Sequence, residues 1–285
     1  MHWTDRRQRF RAVLNGNRCV HPASVFDAMS ARIAEDLGFE TGMFAGSTAS
    51  LAVVGGPDLI LITLTEFAQQ AYRINRAGNL PLLVDADHGY GNALNAKRTV
   101  EELETAGVAA LTIEDTVLPR PFGESKPGLT SIEEGVGKMK AGLAGRQDPS
   151  LCIVGRTIAA GMASLEETVA RAKAYDATGV DALMMVGVRT KQQLEAIAAV
   201  THVPLILGGV GPELNDVGYL AAQRVRICLQ GHQPIMASVQ AVYNTLKALR
   251  EGTPPSKLQG VAGSDLMKQV TRDADYERWT KEFLG

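Results

Sequence analysis

Short apolar runs alternate with longer amphipathic stretches along this chain of 285 residues. Several of the runs are almost continuously apolar, which is typical of strands buried on both faces of a parallel sheet. Eight such runs predict eight strands, at 19–25, 41–45, 80–85, 109–114, 151–156, 182–188, 204–208 and 225–230. Helix-period segments lie between the runs, so the order of elements predicts an α/β protein.

Helix signals separate the predicted strands. The segments 94–106 and 164–178 are followed by Gly107 and Gly179, which suit the first position after a helix. The second segment opens with Ser-Leu-Glu-Glu, the spacing of a capping box. Two further segments, 190–200 and 234–250, follow the sixth and eighth predicted strands.

Eight strand–helix alternations in one chain favour a closed (β/α)₈ TIM barrel, although a doubly wound open sheet also fits the pattern. We expect one domain over 1–285, because no linker or composition shift divides the chain. Residues 252–285 are predicted to form a C-terminal helical extension, in which 264–283 is one helical stretch that caps the barrel or reaches a partner subunit. The basic run at 6–9 is expected on a solvated helix face.

Composition and charge argue against several classes of protein. The 29 basic and 31 acidic residues give a net charge of −2, which offers no broad surface for nucleic acid or an anionic membrane. Cys19, Cys152 and Cys228 are far apart and form no CxxC pair, so a disulfide framework or a cysteine zinc site is not expected. With no signal-like or membrane-spanning run, we expect a cytoplasmic protein.

Acidic residues end two neighbouring predicted strands. Asp85 and Asp87 follow an apolar run at i, i+2 spacing, which predicts that both face one side of an extended strand, and Glu114 ends the next run. Buried charges are costly unless they are paired or bind a metal. We therefore interpret the three as a shared divalent-cation site, with Mg²⁺ as the simplest candidate. The alternative for the aspartates is one helix cap and one solvent-facing carboxylate.

Three other polar residues lie where predicted strands end. Arg156 is suited to hold a substrate carboxylate, or else pairs with one of the acids just named. Ser47 follows the second strand among small residues that leave room for an anion, but a lone serine there is more often a turn or cap residue. His232 follows the eighth strand and can donate a hydrogen bond or a proton, although lone loop histidines are more often structural. His21 has no adjacent acid to suggest chemistry.

Residues 116–131 are rich in proline, glycine and charge, and they begin where the acidic cluster ends. A segment of this length is long for a strand-to-helix connection, and long loops often serve as lids. We predict that it closes over the cation site.

Taken in order, these motifs resemble the isocitrate lyase/phosphoenolpyruvate mutase superfamily from about residue 18 to residue 250. The motifs are Gly46-Ser47, Asp-Ala-Asp-His-Gly-Tyr-Gly-Asn at 85–92, Leu-Thr-Ile-Glu-Asp at 111–115, the 116–131 loop and Arg156-Thr157. Within the superfamily, the chain is most similar to the oxaloacetate decarboxylase branch. That similarity rests on the 85–92 motif, on the run at 113–123 and on the Gly-His pair after the eighth strand.

The resemblance implies a TIM barrel whose C-terminal helix is exchanged between subunits, usually in a homotetramer built as a dimer of dimers. It implies Mg²⁺, with Mn²⁺ as a substitute, on Asp85. Asp87, Glu114 and Asp58 would order the water around the ion.

The resemblance also implies roles for the other polar residues. Ser47 and Arg156 match positions that bind the substrate carboxylate, and His232 matches the histidine that contacts the substrate in the decarboxylase branch. The implied reaction is Mg²⁺-dependent decarboxylation of oxaloacetate, or a close β-carboxy α-keto acid, to pyruvate and CO₂ through an enolate.

Two alternatives stay open at this point. One is another C–C or C–P lyase or hydrolase of the superfamily, acting on a 2-methylisocitrate-like or phosphonopyruvate-like substrate. The lid sequence at 119–125 has no cysteine, which argues against a lyase that needs a lid thiol. The other is a catalytically weak keto-acid-binding barrel. Ile158 and the segment 233–235, which depart from the family pattern, favour that alternative.

Overall fold

The computed structural model describes residues 3–285, so the first two residues of the predicted domain lie outside the described part. Its sheet has eight parallel strands in chain order, and every strand overlaps one predicted apolar run. The strands are β1 (Ala23–Ser24), β2 (Gly42–Phe44), β3 (Leu82–Asp85), β4 (Ala110–Glu114), β5 (Cys152–Thr157), β6 (Ala182–Val186), β7 (Leu205–Gly208) and β8 (Val225–Cys228).

Helices precede, connect and follow these strands. They are α1 (Thr4–Asn15), α2 (Ala28–Asp36), α3 (Gly46–Ala49), α4 (Leu64–Ala77), α5 (Ala93–Thr105), α6 (Ile132–Gly145), α7 (Ala159–Met162), α8 (Leu165–Asp176), α9 (Lys191–Val200), α10 (Val217–Ala222), α11 (Gln233–Arg250), α12 (Ser264–Thr271) and α13 (Asp273–Phe283). A π-helical turn, Ser50–Val54, continues α3. Within residues 3–285, no helix combines the length and the apolar character that a membrane crossing requires.

Side-chain caps account for several helix starts. The Ser164 hydroxyl accepts a hydrogen bond from Glu167 N at 3.1 Å, as the Ser-Leu-Glu-Glu spacing predicts. The Glu167 carboxylate does not complete a reciprocal capping box, because it accepts from Arg171 Nε at 2.9 Å. The predicted start of α8 is therefore confirmed. Of the two hydrogen bonds of a capping box, only the one accepted by the Ser164 hydroxyl is present.

The two edges of the sheet meet at Val20, which lies just before β1 and pairs with β8. Val20 N donates to Arg226 O at 2.9 Å, and Val20 O accepts from Cys228 N at 2.9 Å. Strand order runs from β1 to β8 without the reversal that defines a doubly wound sheet. The chain is thus an α/β protein with eight parallel strands in a TIM-like arrangement.

Apolar residues alternate between the two faces of the sheet. One face packs against the surrounding helices. The opposite face forms a smaller buried group, the inner cluster, which takes Met43 from β2, Leu83 from β3, Val154 from β5 and Ile206 from β7. Side chains of α1 join this group, so α1 covers one end of the sheet.

The expectation that the basic run at 6–9 lies on a solvated face of α1 is wrong for Arg6 and Arg7, although Gln8 and Arg9 are exposed. Arg6 and Arg7 are 2% and 3% exposed. Arg7 Nε donates to Val108 O at 2.9 Å and its Nη1 to Asp148 Oδ2 at 2.8 Å, while Arg6 Nη1 donates to Asn75 O at 2.7 Å. A run of basic residues gives no sign that the apolar side of the same helix packs against the sheet. That packing buries the arginines beside backbone carbonyl groups, which need hydrogen-bond donors.

The C-terminal stretch 264–283 is two helices, not one. Arg272 separates α12 from α13 with a left-handed φ of 65°. Its two terminal nitrogens donate to the two Asp36 oxygens, at 2.8 Å each, and this bidentate pair ties the break to α2. The interruption follows from a contact 236 residues away in sequence, which helical periodicity does not report.

Candidate active site

Asp85, Glu114 and Arg156 lie on neighbouring strands at one end of the sheet. They occupy the same alternating positions as the inner cluster, so all three face the inside of the sheet. The β4–β5 register pairs Glu114 directly with Arg156, and the β3–β4 register pairs Asp85 with Thr112. The three side chains line a cavity of about 1060 Å³.

Arg156 lies between the two carboxylates. Its Nη1 contacts Asp85 Oδ1 in a short ion pair, and its Nε lies 3.2 Å from Glu114 Oε2. Thr112 Oγ1 also donates to Asp85 Oδ1, at 3.0 Å. The expected alternative, in which Arg156 pairs with the acids, is therefore the arrangement that the structure has.

Asp87 reaches the site through a turn. β3 ends at Asp85, and Asp87 has a φ of 47°, so the prediction that both aspartates alternate along one extended strand is wrong. Asp87 N donates to Asp85 Oδ1 at 3.1 Å, and Asp87 O accepts from Glu114 N at 2.9 Å. A Cβ on Gly46 would lie 2.6 Å from Asp87 Oδ2, so a glycine is needed for the carboxylate to occupy this place.

Charge in the site is unbalanced, because several buried carboxylates face one guanidinium. Burial and the Asp85 charge raise the pKa of Asp87 well above its usual value. Burial raises the pKa of Glu114 to about 7, although Arg156 opposes the shift. Burial also raises the pKa of Asp58, which lines the same cavity. The excess of negative charge favours binding of a cation.

The donor set fits a hydrated Mg²⁺ ion. Within residues 3–285, no three carboxylate, imidazole or thiol groups converge as a direct ligand set. Mg²⁺ commonly keeps several waters and takes one or two carboxylates from the protein, so this arrangement suits its coordination better than that of a fully protein-ligated ion. Buried carboxylate oxygens are also the hard ligands that this ion prefers.

Ser47 and His232 line the cavity as well. Ser47 lies in the short helix α3, and His232 immediately precedes α11. Burial lowers the pKa of His232, against the opposing charges of Asp85 and Asp58. The imidazole is therefore neutral near pH 7.

His21 is a cavity residue that the sequence analysis set aside. Its Nδ1 lies 2.7 Å from Cys228 O. The absence of an adjacent acid was a poor criterion, because the partner is a backbone carbonyl of β8. The sequence signal that could have identified His21 is its place in the first predicted strand, because that segment meets β8 where the two edges of the sheet join.

The 116–131 loop borders the cavity. Leu118, Pro119, Arg120 and Pro127 line it. Its two ends are joined by Val117 N, which donates to Gly128 O at 2.8 Å. The loop therefore lies where the predicted lid would lie.

Asp115 anchors the loop from behind. It is fully buried and accepts from Arg171 Nη1 at 2.8 Å and from Tyr175 OH at 2.7 Å. Its carbonyl accepts from Thr130 N at 2.7 Å. Of the two adjacent acids at the end of β4, one thus faces the cavity and the other holds the loop base.

The family model described as phosphoenolpyruvate phosphomutase matches residues 10–250. The chain is 60% identical over 285 residues to the oxaloacetate decarboxylase of Bradyrhizobium diazoefficiens, covering 100% of this chain and 99% of that protein.

Solved structures agree with the fold. The phosphoenolpyruvate phosphomutase of Streptomyces platensis subsp. rosaceus matches with a TM-score of 0.85 at 25% identity, over 98% of this chain and 99% of that one. A phosphonopyruvate hydrolase in complex with oxalate and Mg²⁺ matches with a TM-score of 0.83 at 26% identity, over 98% and 99%.

Replacing Gly46 with alanine should weaken binding of divalent cations. The new methyl group would collide with the Asp87 carboxylate, and we expect a loss of affinity for Mn²⁺ of about tenfold. Electron paramagnetic resonance of free Mn²⁺ measures the affinity. The matched control is Gly137→Ala in α6, where a Cβ meets no atom within 4 Å. Equal affinities of the two variants would contradict the steric argument.

Glu114 should make the metal-free protein less stable as pH rises. Its pKa of about 7 lies above the usual 4.5, so the folded state holds the proton more tightly than the unfolded state. Its stabilising contribution is complete below pH 4.5 and is lost as pH rises through 7. Urea unfolding across this range, with Glu114→Gln beside the wild type, measures the difference. If both proteins show the same pH dependence, Glu114 does not titrate as described.

Proposed function

This chain belongs to the phosphoenolpyruvate phosphomutase family, and on that premise we propose that it is an oxaloacetate decarboxylase. It would convert oxaloacetate to pyruvate and CO₂. The observation that carries the proposal is the 60% identity, over the whole chain, to a protein of that name. The buried carboxylates and the arginine at one end of the sheet supply chemistry that suits this reaction.

We assign metal binding to Asp85, with Asp87 and Glu114 acting mainly through water, and we expect Mg²⁺ or Mn²⁺. The excess of buried negative charge supports the assignment. When bound, the divalent cation supplies positive charge that stabilises the enolate oxygen developing at C2.

Arg156 is proposed to hold a carboxylate of the substrate. Burial lowers its pKa, but the charges of Asp85 and Glu114 outweigh that effect and the pKa rises, so the guanidinium stays charged. Within residues 3–285, no group hydrogen-bonds its Nη2, which leaves that nitrogen for the substrate. The Ser47 hydroxyl would donate to the same carboxylate.

His232 is proposed to contact the C2 oxygen. Cleavage of the C3–C4 bond releases CO₂ and leaves its electron pair on the enolate of pyruvate. A hydrogen-bond donor at the C2 oxygen strengthens its contact as charge develops there, and so lowers the barrier. The 116–131 loop would act as the lid that separates the reacting groups from bulk water.

We also propose that the protein is a homotetramer, a dimer of dimers that exchange C-terminal helices. Met236, Val239, Tyr243 and Leu246 form an apolar stripe along α11, and each is more than half exposed. Only Ile235 of this helix is buried, so residues 3–285 do not cover the stripe. A second copy that covered it would remove a large apolar surface from water.

Replacing Asp85 with asparagine should abolish cation-dependent pyruvate release while the protein stays folded. We expect a fall in kcat/KM of at least about 100-fold, because the neutral amide binds the cation poorly. Oxaloacetate consumption and pyruvate formation are followed with Mg²⁺, with EDTA and without protein, since oxaloacetate also decays unaided. The matched control is Asp5→Asn, which changes an exposed carboxylate of α1.

Substrate competition separates the proposal from its alternatives. Wild-type protein is assayed with oxaloacetate, phosphonopyruvate and 2-methylisocitrate under identical conditions. A higher kcat/KM for phosphonopyruvate or 2-methylisocitrate than for oxaloacetate would replace the proposed function. If the protein binds these compounds but turns over none of them, it is a keto-acid-binding barrel.

Introducing charge into the α11 stripe should dissociate the tetramer. Leu246→Glu places a carboxylate in the proposed contact, and we expect the mass in multi-angle light scattering to fall from four chains to fewer. Asn244→Glu adds the same charge at an exposed polar position of the same helix and serves as the control. A wild-type mass of one chain would refute the assembly.

A further inference from the structure

Ser24 and His232 come from opposite ends of the sheet order and meet beside the cavity. Ser24 ends β1, and His232 follows β8. The Ser24 Oγ lies 2.8 Å from His232 Nδ1, across 208 positions of sequence. Gly231, with a φ of 89°, allows the turn that places His232 there. The contact forms because the two edges of the sheet meet.

The hydrogen-bonding options of Ser24 determine which atom carries the proton. Within residues 3–285, His232 Nδ1 is the single hydrogen-bond partner of the Ser24 hydroxyl. Ser24 is 8% exposed and borders the cavity, and a hydroxyl that only accepted from the imidazole would have no acceptor for its own hydrogen among residues 3–285. Donation from Ser24 Oγ to His232 Nδ1 avoids that cost. The proton of the neutral imidazole then resides on Nε2.

His21 shows the opposite arrangement on the same cavity wall. Its Nδ1 faces Cys228 O, a carbonyl oxygen that can only accept, so Nδ1 of His21 carries a proton and donates. The Nδ1 atoms of the two histidines on this cavity wall therefore have opposite roles, one as a donor and the other as an acceptor.

We propose that Ser24 is a positioning residue, which holds His232 as the Nε2–H tautomer so that His232 donates a hydrogen bond to the C2 oxygen of the substrate. This inference rests on the proposed decarboxylase function. His232 then acts as a neutral hydrogen-bond donor and not as an acid, because loss of the Nε2 proton would leave an imidazolate anion. The lowered pKa of His232, which results from burial, agrees with a neutral ring.

Nuclear magnetic resonance tests the tautomer without any turnover. Protein labelled with ¹³C and ¹⁵N in histidine reports the protonated nitrogen of each ring, and His232→Gln identifies the signal of His232 by its disappearance. We expect Nε2–H for His232 and Nδ1–H for His21 in the wild type. In Ser24→Ala, the His232 signal should move toward the other tautomer. A wild-type His232 protonated on Nδ1 would overturn the proposal.

Kinetics test the consequence for the reaction. In Ser24→Ala we expect kcat to fall about tenfold, less than removal of a donor itself costs, while KM changes little. Ser24→Thr keeps the hydroxyl and should restore kcat. Ser150→Ala removes a serine hydroxyl of similar burial that donates to Asp148, far from His232, and should leave kcat unchanged.

The outcomes separate the inference from the function on which it rests. If the wild type decarboxylates oxaloacetate but Ser24→Ala retains full kcat, or Ser24→Thr fails to restore it, the positioning role is wrong and the function stands. If the wild type shows the expected tautomers but does not decarboxylate oxaloacetate, the proposed function fails and only the hydrogen-bond assignment survives.

Discussion

The buried contact of Arg156 with Asp85 and Glu114 is the interaction on which the candidate site depends. Three adjacent strands each deliver one of these side chains to the same face, at the same end of the sheet. Without the guanidinium, two desolvated carboxylates would repel each other on the inner face of the sheet. With it, the group still holds more carboxylates than guanidinium groups, and burial raises the pKa of Glu114 to about 7 even though Arg156 opposes the shift.

A stable fold tolerates this group of carboxylates because the rest of the inner face of the sheet is mainly apolar. Between the ends of the sheet, the inner cluster fills the interior with apolar side chains. At the opposite end, α1 supplies Arg6 and Arg7 to backbone carbonyls and to Asp148, so its buried charges are matched by acceptors. At that end the guanidinium groups of α1 thus have acceptors, whereas at the other end carboxylates outnumber the guanidinium.

Some features were predictable because they depend on local sequence alone. Apolar runs located all eight strands, since strands buried on both faces need little besides apolar side chains. Polar residues directly after those runs pointed to one end of the sheet, where Asp85, Glu114 and Arg156 indeed lie together. The start of α8 was predictable from Ser164, because a cap acts on the first turn of its own helix.

Other features depend on contacts between distant segments, and the sequence analysis missed or misassigned them. Arg6 and Arg7 are buried by the sheet that their helix covers, and Arg272 leaves the helical conformation where it binds Asp36. The sequence also carries no local signal for the turn that holds Asp87 or for the hydrogen bonds of Ser24 and His21. By itself, the sequence determined the elements, their order and the end at which the chemistry collects, because periodicity and strand ends are local properties. Only the tertiary structure decided which charges are paired and which nitrogen of a histidine holds its proton, because those partners lie far apart in sequence and meet only when the chain folds.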